Sequence, residues 1–150
     1  MDNRVILLVE DNPSDVELTR RALRKANVAN ELVIAEDGVE ALKFFFGDDG
    51  KGGCPPDRLP VVVLLDLKLS RVGGLEVLQR LRHDEKTKLL PVVVLTSSGE
   101  ENDVTASYSL GANSYVRKPV RFNDFADAIR QLGLYWLILN QPPKNNMRRT

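Results

Sequence analysis

The stretch "PVVVLLDLKLSRVGG", residues 60–74, places an acid where a buried strand should end. Val61 to Leu65 are all apolar, and the run stops at Asp66. A strand covered on both faces excludes charge, because an unpaired ion there loses its hydration without compensation. The acid past such a run is either a solvated strand end or a carboxylate displayed at the carboxyl edge of a sheet. The rest of the chain decides between the two.

Similar runs stand on either side. "RVILLV" (4–9), "LVIA" (32–35) and "VVVL" (92–95) are short, continuous and rich in branched residues, and "SYVR" (114–117) is a weaker fifth. Continuous runs of this length suit parallel strands sandwiched between helices. Between them, apolar residues recur at helical spacing: Val16, Thr19, Leu23 and Ala26, then Leu75, Leu78 and Leu81, then Phe122, Phe125, Ile129, Leu132 and Trp136. Strand and helix alternate along the chain, which predicts a doubly wound α/β fold with right-handed crossovers. Residues 1–139 are expected to form one domain. The Gly- and Pro-rich segment 47–60 is expected to be a long exposed loop, and 140–150 a flexible tail after a proline stop.

With 150 residues, the chain is of a size for one domain with a sizeable core. Its 21 basic and 21 acidic residues balance, so no long-range field favours nucleic acid or a membrane surface. The apolar runs fall well short of the ~20 residues that span a bilayer. "MDNRVILLVED" reaches acids before any cleavage pattern of a signal peptide, and Cys54 is the only cysteine. A cytoplasmic protein with no nucleic-acid and no membrane partner is expected.

Ligands of doubly wound sheets bind outside the carboxyl ends of the strands. In chain order those ends carry Glu10-Asp11, Asp66, Thr96-Ser97 and Lys118-Pro119. Each has an ordinary explanation alone: Glu10-Asp11-Asn12-Pro13 starts a helix, Thr96-Ser97-Ser98 makes a cap, and Lys118-Pro119 makes a turn. Their coincidence at one rim does not. Carboxylates this close stay ionised together only with a cation among them, and hard oxygen donors in a small open cluster suit Mg²⁺, which takes phosphate as a further ligand. A carboxylate can then act as nucleophile toward phosphorus, with the hydroxyl and ammonium meeting the phosphoryl oxygens.

The motifs "LLVEDNP", "LLDLKL", "VVVLTSS" and "GANSYVRKP" make residues 4–139 resemble a response-regulator receiver domain. That resemblance implies a flavodoxin-like, five-stranded parallel sheet of order 2-1-3-4-5 flanked by five helices. It implies that Asp66 accepts a phosphoryl group from a phosphohistidine of a sensor histidine kinase. It further implies Mg²⁺ held by Asp11 and Asp66 directly, by Glu10 through water and by the backbone carbonyl of Lys68. Thr96 and Lys118 would hold phosphoryl oxygens, Tyr115 would be the aromatic switch, and the Lys118-Pro119 bond would be cis. Such a protein is no enzyme beyond catalysing its own phosphorylation and dephosphorylation. Ser70 departs from the family pattern, which usually has proline there, and Glu10 replaces the commoner aspartate.

The segment "LGLYWLILN" (132–140) is apolar on every side, which points to a partner surface. Leu134, Trp136 and Leu137 are expected to carry a homodimer, since output would pass through the receiver itself. The Trp-containing ending, "QPP" and the 47–60 loop are similar to single-domain regulators paired with phytochrome-type sensor kinases. A phosphorelay intermediate is the alternative within the same class. A Mg²⁺-dependent phosphatase with an aspartyl nucleophile is the alternative outside it, but such enzymes place an acid two residues after the nucleophile, where Lys68 stands here. His83, the single histidine, is expected at a solvent-facing helix end, and Cys54 is expected to be inert.

Overall fold

The computed structural model describes residues 4–118 and 121–139. Five strands, β1 (Ile6–Val9), β2 (Leu32–Ala35), β3 (Val62–Leu65), β4 (Val92–Thr96) and β5 (Ser114–Arg117), alternate with five helices. The helices are α1 (Pro13–Lys25), α2 (Gly38–Phe46), α3 (Gly74–Arg82), α4 (Glu101–Ser109) and α5 (Phe122–Leu134). The sheet is parallel with order 2-1-3-4-5, as expected.

Alternation along the strands divides the core in two. Leu7, Val9, Val63, Leu65, Val92 and Val94 face α2 and α3, where they meet Phe45, Val77, Leu78 and Leu81. Ile6, Leu8, Val62, Leu64, Val93 and Leu95 face the other way, onto Ala22 and Leu23 of α1 and Phe125 and Ile129 of α5. Both faces are dry, which explains why β1, β3 and β4 read as unbroken apolar runs. Burying each such side chain contributes about 1.5–3 kcal/mol.

Local signals set the helix ends. Asn12 caps α1 by accepting from Ser14 N at 2.9 Å, with Pro13 in the first turn. Asp37 caps α2, accepting from Glu40 N at 2.8 Å. Gly47 ends α2 at φ 72°, a left-handed conformation, and a Cβ there would lie 1.8 Å from Lys51 O.

The 47–60 segment is folded more tightly than expected. A bridge joins Asp48 to Lys51, Pro56–Arg58 form a 3₁₀ turn, and Leu59 is only 6% exposed in the core. Lys86 fastens it from outside: its ammonium donates to Phe45 O, at the end of α2, and to Cys54 O at 2.8 Å. Cys54 is half-buried, with its thiol donating to Arg58 O at 3.0 Å. The segment is a strap over the end of α2, tied there by Cys54 N donating to Phe44 O at 2.8 Å and anchored by buried Leu59 and Pro60 just before β3.

The chain past α5 corrects a second expectation. Tyr135–Leu139 continue as a π-helical turn. Trp136 is buried within this one chain, packed with Ile6, Leu23, Val62 and Ile129, and so is not available as a dimer surface. It continues the stripe of Phe125 and Ile129, and burying so large a ring outweighs leaving it wet. Leu137 packs partly against the same cluster, while Leu134 and Tyr135 are 44% and 48% exposed. His83 caps α3 in the open, as expected. The expected cis bond at Lys118-Pro119 and the tail 140–150 lie outside the described residues. Among the described residues no helix is long and apolar enough to cross a membrane.

Candidate functional site

Strand register assembles the rim. Val9 lies opposite Leu65 and Thr96 opposite Arg117, so the residues that follow each strand emerge side by side. Backbone bonds carry the pairing one step further: Asp66 N donates to Val9 O at 3.0 Å, Glu10 N to Ala35 O at 3.0 Å, and Lys118 N to Thr96 O at 2.7 Å. The carboxylates of Glu10, Asp11 and Asp66 consequently offer oxygens within 4.8 Å of one another.

Lys118 crosses this cluster. Its ammonium contacts Glu10 Oε1, Asp15 Oδ2 at 2.9 Å and Asp66 Oδ2 at 3.3 Å. The Lys118 side chain is 8% exposed, so these pairs sit largely out of water. Asp66 also accepts from Lys68 N at 3.3 Å, and Glu10 accepts from Asn12 N at 3.3 Å. Asp11 accepts from the Ser70 hydroxyl at 3.1 Å. The β3–α3 loop that carries Lys68 and Ser70 is held from both ends. Arg71, at φ 67°, donates to Asp37 at 2.9 Å. Gly74 packs on Asp66 O so closely that a Cβ would lie 2.3 Å from it.

Charge in the cluster is shared unequally. Burial drives the Glu10 carboxyl up to about 7, against the pull of Lys118. Burial pushes Asp66 the same way, but the Thr96 hydroxyl, the Lys118 ammonium, a hydrogen bond from Glu10 and the Lys68 N–H outweigh it, and Asp66 lies below the usual carboxylate range. Burial works against the Lys118 charge, yet bonds to Glu10 and Asp15 and the nearby charges hold it above the ordinary lysine value. The shifts favour the anion at Asp66 and proton uptake at Glu10. A pair that shares one proton titrates as a unit. Hard oxygen donors set this close suit a divalent cation, and Glu10, Asp11 and Asp66 fit one in chemistry and spacing.

The expected hydroxyl and aromatic lie on the adjoining strands. Thr96 is fully buried at the end of β4. Tyr115 of β5 is half-buried, and its hydroxyl donates to Ser98 O at 2.8 Å. Ser98 donates in turn to Asp103 Oδ2 at 2.6 Å, joining the β4–α4 loop to the first turn of α4. Asp15 was not among the expected residues. An acid in the first turn of a helix is already explained by the helix dipole, so nothing in the sequence marked Asp15 for the rim. The Ser70 contact to Asp11 was likewise not expected.

Residues 6–130 match the model of the response regulator receiver domain, and the chain belongs to that family. It is 37% identical to response regulator Rcp1 of Synechocystis over 89% of each chain. A Mn²⁺-bound crystal structure of Rcp1 shares the fold with a TM-score of 0.83 at 34% identity, covering 94% of this chain and 99% of that one. The phosphorylated cyanobacterial phytochrome response regulator RcpA has a TM-score of 0.84 and 32% identity over 95% and 100% of the two chains. The bacteriophytochrome response regulator AtBRR is 50% identical, covering 94% of this chain and 100% of that one, with a TM-score of 0.68.

Proposed function

We propose that this receiver takes a phosphoryl group onto Asp66 from the phosphohistidine of a sensor histidine kinase, with Mg²⁺ as cofactor, and thereby switches a protein-interaction surface. The observation that carries this reading is the placement of the Asp66 carboxylate at the end of β3, beside two further carboxylates, a buried hydroxyl and an ammonium. A carboxylate oxygen of Asp66 forms the O–P bond as the N–P bond of the phosphohistidine breaks. The freed imidazole keeps that electron pair and takes a proton from solvent. Mg²⁺, held by Asp11 and Asp66, by Glu10 through water and by the Lys68 carbonyl, would supply neutralising charge to the phosphoryl oxygens. Thr96 and Lys118 hold those oxygens from the opposite side, and Tyr115 passes the change to the β4–α4 loop through Ser98.

The chain acts only on its own phosphorylation state. The likeness to AtBRR and RcpA supports a phytochrome-type kinase as partner, and membership of the receiver family fits the cytoplasm as the compartment. Exposed Leu134 and Tyr135 at the end of α5 support a homodimer through that end, with Leu137 beside them and Trp136 beneath. The phosphatase alternative gains nothing, because the position two residues after Asp66 is an exposed lysine. Incubation with acetyl phosphate and Mg²⁺ tests the acceptor. One phosphoryl mass, lost to hydroxylamine, is expected on wild type and none on Asp66→Asn; labelling of Asp66→Asn at the wild-type rate would sink the assignment.

A further inference from the structure

The ammonium of Lys118 has three N–H donors, and the structure gives it three carboxylates. Two of these belong to the rim already described. The third, Asp15, stands on the first turn of α1, four residues past Asp11 in the chain. We propose that Asp15 is a positioning residue for Lys118: its carboxylate holds the ammonium toward α1 and sets how readily Lys118 turns to phosphoryl oxygens on Asp66. The inference rests on Asp66 being the phosphoacceptor.

The three partners are not equivalent. Glu10 is 2% exposed, so a bond surrendered by it leaves a buried polar group unpaired, which is costly. Asp66 is the acceptor itself and stands farthest, at 3.3 Å. Asp15 is closer, at 2.9 Å, and its side chain is 27% exposed. Water can replace the ammonium at Asp15, so this is the bond that yields when a phosphoryl oxygen competes for the third N–H. Until it yields, the donor is engaged elsewhere. Asp15 therefore opposes the approach of Lys118 to the phosphoryl group, both while the O–P bond forms and after it has formed. It also ties the end of β5 to α1, a link that phosphorylation releases.

The test compares phosphorylation rates of wild type and Asp15→Asn with acetyl phosphate at saturating Mg²⁺. The amide keeps the shape and removes the charge, so a three- to tenfold faster rate is expected. Asp15→Glu, which restores a carboxylate on a longer stem, is expected to return the rate to within twofold of wild type. In a Lys118→Ala background, Asp15→Asn is expected to change nothing, since its effect passes through the ammonium. The Mg²⁺ titration of the unphosphorylated protein, followed by thermal shift, should be the same for wild type and Asp15→Asn within about twofold. Should Asp15→Asn melt far below wild type, Asp15→Ser, a residue well suited to a first turn, carries the same comparison. A rate within twofold of wild type for the neutral variant, or an undiminished effect without Lys118, overturns the proposal. If wild type takes up phosphoryl but not on Asp66, the acceptor assignment fails first and the role of Asp15 falls with it.

Discussion

Glu10 and Trp136 are both almost withdrawn from solvent, at 2% and 9% exposure, and they are withdrawn for opposite reasons. Glu10 is an acid carried inside by the strand it follows, and the Lys118 ammonium and the Asn12 N–H compensate it there. Trp136 is an aromatic carried inside by its own hydrophobic area. The charged rim is costly to hold and offers hard oxygen donors suited to a cation; the apolar ending is held by packing. Under the proposed function, that contrast separates the part of the molecule that would change state from the part that keeps the frame fixed.

The contrast is broken most directly by truncating Trp136. Trp136→Ala is expected to lose about 3–5 kcal/mol, as for large aromatics cut from a packed core. Urea denaturation should give the same loss at pH 6 and 8, with or without Mg²⁺. A loss under 1 kcal/mol would mean that the ring is a surface group after all.

Lys118→Ala should cost about 3 kcal/mol at pH 8, because it leaves buried carboxylates without their cation. Unlike the tryptophan loss, this one should shrink on adding Mg²⁺ or on lowering the pH toward 6, where Glu10 takes up a proton. An equal loss under all these conditions would show that the lysine packs rather than compensates.

The Glu10 proton sharpens the rim itself. Its folded-state pKa, about 7, lies above the ordinary 4.5. Between those values the folded protein holds a proton that the unfolded chain has lost. This contribution to stability is full below 4.5 and is lost as pH rises through about 7. At the proposed metal site Mg²⁺ would compete with that proton, so its affinity should weaken up to tenfold per unit below pH 7, about 1.4 kcal/mol. In Glu10→Gln, titrations at pH 6 and 8 should differ less than twofold.

The smallest effect belongs to the exposed side of the same ending. Leu134→Glu should alter monomer stability by only about 0.5 kcal/mol. In sedimentation it should shift wild-type dimers toward monomers, and wild type that stays monomeric at high concentration would remove the dimer.

How much was legible follows the same division. The strands were readable because both sheet faces are dry and leave unbroken apolar runs. The rim was readable because parallel strands put all their carboxyl ends on one edge, so Asp66, Glu10, Thr96 and Lys118 needed no side-chain detail. Asp15 was hidden by having a sufficient local explanation in the helix dipole. Trp136 was open to two readings, as the last member of the Phe122–Ile129 stripe and as part of a segment apolar all round; helix phase favoured the first. The inner side of the 47–60 strap escaped notice because glycines and prolines mark a turn without saying which face of it Leu59 will seek.

Lys86 gives that strap one further property. By donating to both Phe45 O and Cys54 O, it splices the end of α2 to the strap across the segment between α3 and β4. The Cys54 amide, which itself donates to Phe44 O at 2.8 Å, lies beside that splice. In native-state hydrogen exchange the strap, the last turn of α2 and the Lys86 segment should therefore open together as one cooperative unit, with the Cys54 amide reporting its free energy. Lys86→Met, which keeps the stem and removes the charge, would let the strap open alone, and Cys54 would exchange faster while the amides of β1 and β3 kept their protection.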